Sequence, residues 1–142
     1  MITYSAEGVK MPKIKKREIS RWIKAVAATH GRKVGEIGYM FVDDEKILEV
    51  NNEYIGHDYY TDIITFDYDE DDVLNGDLVI SLDTVRSNAE LFKKSYEDEL
   101  NRVIIHGILH LCGINDKGPG EREIMEENEN KALALLKEMS DK

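Results

Sequence analysis

SYEDELNRVIIHGILHLCGIND, residues 95–116, decides the fold of this chain. Ser95 is a hydroxyl residue placed to cap a helix, and Asp98 near N3 completes a capping-box pattern. From Tyr96 to Cys112 the residues Leu100, Val103, Ile104, Ile105, Ile108, Leu109 and Leu111 cover nearly the whole circumference. A helix that is apolar all round is buried all round, so this one is expected at the centre. His106 and His110 stand four residues apart on it. That spacing offsets them by ~40° and about 6 Å along the axis, so two imidazoles can converge on one ion. An unpartnered ring would be costly in so apolar a helix. Gly113 offers the left-handed conformation at which a helix stops and the chain turns back. The turn would bring Asp116 towards the histidines, giving H-x3-H-x5-D.

Two histidines and a carboxylate with an open fourth position describe a catalytic zinc site, although nickel, manganese or ferrous iron suit the same donors. Cys112 lies about 200° round from His110 and reads instead as a small buried residue. The common zinc-protease helix, H-E-x-x-H, carries its general base where Gly107 stands here, so an ordinary peptidase mechanism lacks that base. Gly107 instead leaves room for a neighbouring element or a substrate to approach the helix.

Working outward, a final helix from about Gly120 to Met139 puts Met125, Ala132, Leu136 and Met139 on one stripe. Upstream, Ser81 or Asp83 starts a helix to about Lys93. Residues 61–68 (TDIITFDY) and 77–82 (DLVISL) read as strands across the acidic, turn-rich connection 69–76. Asp43-Asp44 caps a helix reaching about Tyr54. Residues 36–42 (EIGYMFV) form a strand with Ile37, Tyr39 and Phe41 on one face. From about Lys13 to Thr29, Ile19, Trp22, Ile23 and Val26 recur at helical spacing, and His30-Gly31 ends the helix. Three or four strands among helices, with one antiparallel pair, give a single α/β or α+β domain over residues 1–142.

Composition narrows the class. A chain of 142 residues with one cysteine has no intramolecular disulfide framework and fits a reducing cytosol. No secretory signal opens it, and no apolar run approaches the ~20 residues needed to cross a bilayer. Net charge is −10 overall, yet residues 1–33 carry nine Lys/Arg against two Glu. Lys13, Lys15, Lys16, Arg17, Arg21 and Lys24 are therefore the candidate contacts to a polyanion such as an RNA backbone. Bulk charge alone excludes non-specific nucleic-acid binding; any such binding is local or partner-assisted.

At these residues the chain resembles the YbeY family of bacterial metal-dependent endoribonucleases. HGILHLCG, residues 106–113, matches the family pattern H-G-x-L-H-L-x-G. NNEYIGHDYYTDIITF, residues 51–66, aligns with a second block, N-x-x-Y-R-x-K-D-x-P-T-D-V-L-S-F. GDLVIS, residues 76–81, aligns with a third, G-D-I-x-I-S. The resemblance implies an α+β fold, with a small mixed sheet packed with helices around a central metal-binding helix and one Zn2+ per chain. It implies cleavage of single-stranded RNA in ribosomal RNA maturation, especially at the small-subunit 3′ end, and in ribosome quality control. The partners implied are ribosomal RNA and the small ribosomal subunit with its associated proteins, in the cytoplasm and with no membrane. By position His106 and His110 are two ligands, and Asp116 replaces the third family histidine. Ile55 stands at a family arginine, for which Arg86, Arg102 and Lys117 are the substitutes considered, and Tyr60 replaces a proline.

Asp62 is a catalytic candidate beside His106 and His110, either orienting a water or ligand or bonding backbone at a strand start. His57 and Asp58 are expected near the cleft, and Asp77 at a turn next to the metal helix. Two other readings stay open: a zinc hydrolase of the metallopeptidase type, and a ribosome-associated binding factor with a structural metal.

Overall fold

The computed structural model describes residues 1–55, 62–115 and 118–140. The expectations placed on His57, Asp58, Tyr60, Asp116, Lys117 and the side chain of Ile55 fall outside what is described. In chain order the elements are β1 (Ile2–Ala6), α1 (Lys16–Thr29), β2 (Lys33–Val42), α2 (Asp44–Val50), a π-helical turn (Asn51–Ile55) and β3 (Ile63–Asp67). There follow β4 (Val73–Ser81), α3 (Leu82–Leu91), α4 (Tyr96–Leu111) and α5 (Glu121–Ser140).

The caps form where the sequence places them. Asp43 accepts from the amide of Lys46 at 2.9 Å, Ser81 from that of Thr84 at 3.3 Å and Ser95 from that of Asp98 at 3.0 Å. Each satisfies one of the amides that a helix start leaves without a partner. Gly113 has φ 96°, the left-handed conformation expected at the end of α4.

The sheet is mixed, in the order β1-β2-β4-β3, with β1, β2 and β4 parallel and β3 antiparallel to β4. β1 is a strand that the sequence reading did not include. It pairs Tyr4 with Tyr39 on β2, and the two rings stack at 5.6 Å. β4 begins at Val73, inside the expected acidic turn, because a bridge between Glu70 and Val73 closes the hairpin early. Asp77 consequently sits exposed in the middle of β4, not at a turn. Its neighbour Leu78 faces α4, so the pleat turns Asp77 away from that helix.

One sheet face carries Ile37, Tyr39, Phe41, Leu74, Leu78 and Ile80 into a core shared with α1, α3, α4 and α5. Val42, Ile64 and Val79 form a smaller cluster with Ile47 of α2. α4 buries Leu100, Val103, Ile104, Ile105, Ile108, Leu109 and Leu111, the central position its circumference requires. The result is an α+β fold with helices packed on a small mixed sheet. Among the described residues no helix is long and apolar enough to cross a membrane.

Candidate active site

The site is built on α4, whose depth against the sheet is fixed twice. The Tyr39 hydroxyl, fully buried, donates to the carbonyl of Ile104 at 2.9 Å. One turn away, a Cβ on Gly107 would overlap Leu78 and come within 2.9 Å of the Ile63 terminal methyl. Gly107 is therefore glycine because β3 and β4 lie directly against it, and the room it leaves is taken by the sheet. α5 is anchored in turn by the Trp22 indole, which donates to the carbonyl of Ala132 at 2.7 Å.

Between these two helices His106 meets a carboxylate. Its Nδ1 lies 2.7 Å from Oε2 of Glu129, and the other oxygen, Oε1, accepts from Arg102 at 2.8 Å. Arg102 also donates to Oδ1 of Asn130 at 2.8 Å. The Glu129 side chain is only 10% exposed. Burial pushes its carboxyl upward, but the hydrogen bonds and charges of His106 and Arg102 outweigh that and hold it below the usual range. Glu129 is thus an ionised acceptor that orients the ring. An imidazole donating from Nδ1 to a carboxylate has its lone pair on Nε2, the arrangement that metal-ligating histidines adopt. His110 follows one turn later, exposed, in the last turn of α4.

His106 also lines a cavity of about 380 Å³ with Asp62, Lys94, Glu99, Arg102 and Arg122. Asp62 immediately precedes β3. Burial raises its carboxyl, while His106 and the amides of Asp62 and Ile63 pull it down less strongly. Asp62 thus meets backbone amides at the strand start and shares the cavity with His106. Glu99 is buried, with Oε1 lacking a hydrogen-bond partner, and burial raises its carboxyl as well.

Of the substitutes considered for the family arginine, Arg86 lies over the Tyr96 ring at 5.6 Å and pairs with Asp83. Arg102 is committed to Glu129 and Asn130. Lys94 and Arg122 are the other cations on the cavity wall, and nothing in the sequence singled them out. Cys112 is half-buried, packed against the core, and its thiol is pushed up to about 11 chiefly by burial.

The basic residues Lys13, Lys15, Lys16, Arg17, Arg21 and Lys24 are all exposed. Lys15, Lys16, Arg17 and Arg21 border a hollow with Met139 and Ser140, at the far end of α5. Ser140 is eleven residues beyond Glu129, so this patch lies roughly 16 Å along the helix from the histidine.

The donors present fit a divalent ion in their chemistry: two imidazoles at helical spacing, one already oriented by a carboxylate. Among the described residues no three His, Cys, Asp or Glu side chains group closely enough to hold an ion by themselves. Asp116, the third ligand expected from the sequence, lies outside the described residues.

Comparison with known proteins bears directly on this arrangement. A family model described as Endoribonuclease YbeY matches residues 2–137. The protein named Endoribonuclease YbeY in Bacteroides thetaiotaomicron is 72% identical over 134 residues, covering 94% of this chain and 98% of that protein. Its namesake in Phocaeicola vulgatus is 72% identical over 136 residues, covering 96% and 99%. The one in Azobacteroides pseudotrichonymphae is 43% identical over 136 residues, covering 96% and 98%. A solution structure of a Thermotoga maritima protein superposes with a TM-score of 0.68 at 30% identity, over 96% of this chain and 89% of that one. With the family model matched almost end to end and the histidine helix set against a mixed sheet, this chain belongs to the YbeY endoribonuclease family.

Proposed function

We propose that this chain is a zinc-dependent endoribonuclease that cuts single-stranded ribosomal RNA, acting at the small-subunit 3′ end and in ribosome quality control. The observation that carries the reading is His106, held by Glu129 at 2.7 Å and facing a cavity it shares with Asp62. His106, His110 and Asp116 would hold the ion. Zinc, when bound, supplies Lewis acidity at a phosphodiester oxygen and acidifies a water or hydroxyl beside it.

The remaining work falls to the chain's own groups. The Asp62 carboxylate accepts a hydrogen bond from the attacking hydroxyl and so aligns it. Lys94 and Arg122 take the phosphate contacts for which Ile55 is chemically unsuited, since an aliphatic side chain cannot hold a phosphate oxygen. The exposed basic residues Lys13, Lys15, Lys16, Arg17, Arg21 and Lys24 grip the RNA backbone away from the cut, or dock the small subunit. Asp116 in place of a histidine lowers the charge of the site by one, so bound water is less acidic than with three neutral ligands.

The test is cleavage of a single-stranded RNA carrying the small-subunit 3′ end by metal-stripped and zinc-reloaded protein. Cleavage restored by zinc and lost in His110→Ala is the expected result. Equal cleavage by stripped and reloaded protein would overturn the reading.

A further inference from the structure

We infer that Glu129 is the positioning residue of the metal centre, acting through His106, and that Arg102, on the other carboxylate oxygen, holds Glu129 turned towards the ring. The inference rests on the metal-dependent reading above and adds residues to it from another helix.

Glu129 is a carboxylate on the buried stripe of α5, between Met125 and Ala132. A charge in such a place needs strong partners. It has two, one on each oxygen: His106 at 2.7 Å and Arg102 at 2.8 Å. Arg102 is itself steadied by Asn130 at 2.8 Å. Stability alone does not account for this arrangement, because an apolar residue on the same stripe would avoid burying the charge. What the carboxylate adds is directional: it fixes the ring plane of His106 and puts the neutral ring's proton on Nδ1. Nε2 is then the ligating atom. Arg102, bound to the other oxygen at 2.8 Å, fixes the direction in which the carboxylate meets the ring.

Two readouts test this, neither of them nuclease activity. First, ring-nitrogen NMR of the metal-free wild type at alkaline pH is expected to show His106 protonated on Nδ1. A ring protonated on Nε2 would overturn the inference without any variant. Second, zinc affinity is measured by competition with a chromogenic chelator. Glu129→Gln preserves size but not charge and is expected to bind zinc about 10- to 100-fold more weakly. Glu129→Asp, which restores the charge at shorter reach, is expected to recover part of the loss, whereas a role in packing alone would leave Glu129→Gln close to wild type. Zinc binding by Glu129→Gln within twofold of wild type would overturn the inference while leaving the metal site standing. A wild type that takes up no zinc would overturn both.

Discussion

Gly107→Ala probes how the sheet sets the position of His106. On an ordinary exposed helix this change stabilises, by about 1 kcal/mol from propensity. Here the added methyl would overlap Leu78, which is 0% exposed, and come within 2.9 Å of the Ile63 methyl. Leu78 has no solvent to move into, so either its rotamer or the helix must shift. Overpacking a closed core costs about 1–3 kcal/mol, and a clash with two side chains belongs in the upper half of that range. The clash therefore outweighs the propensity gain by about 1–2 kcal/mol. For a chain of this size that lowers the melting midpoint by roughly 3–8 °C. The second consequence is functional, because a helix pushed off the sheet carries His106 away from Asp62, which immediately precedes β3. Calorimetry and a single-turnover RNA cleavage assay should both fall, with cleavage falling further than stability at a temperature where the variant is folded. A Gly107→Ala protein that melts at or above wild type would refute the close-packing explanation for that glycine.

Glu99→Gln should raise stability at neutral and mildly alkaline pH. A carboxyl raised by burial favours the protonated form when folded; the stability it carries is full below its unfolded pKa and is lost as pH rises through the raised folded value. Replacing it with the neutral amide removes that loss, so the melting difference between variant and wild type should grow from pH 4 to pH 8, and a difference flat with pH would contradict the sign. Lys94→Ala with Arg122→Ala should raise KM for RNA several-fold and reduce the salt dependence of binding by up to two phosphate contacts, with kcat less affected. Reversing Lys15, Lys16, Arg17 and Arg21 to Glu should weaken binding to small subunits while leaving cleavage of a short oligonucleotide near wild type, since that patch lies far along α5 from His106; equal loss of both would merge the two surfaces.

Much of this was legible from residues alone, and the gaps have physical causes. The all-round apolar pattern of Tyr96–Leu111 identified the buried helix, and the Ser95 cap marked its start. β1 escaped because it is only five residues long; Ile2, Tyr4 and Ala6 do alternate with Thr3 and Ser5, but their burial depends on β2 lying beside them. Asp77 was misplaced because the hairpin closes at Glu70–Val73, four residues earlier than the acidic run implied. Glu129 lay hidden among the glutamates of α5, although a signal was there. It sits four residues after Met125 and three before Ala132, on the apolar stripe where a solvated glutamate has no place. Glu99, Arg102 and His106 likewise share one face of α4. That they meet Glu129 depends on how two helices cross, which no local pattern encodes.

In the proposed function, His106 and His110 hold a zinc ion with an oxygen donor completing the set. X-ray absorption at the zinc edge on the reloaded protein measures this directly. One zinc per chain is expected, with two imidazoles at ~2.0–2.1 Å, oxygen donors in the remaining places, and no sulfur. A zinc–sulfur distance of ~2.3 Å, which only Cys112 or a methionine could supply, or one imidazole fewer than two, would contradict it.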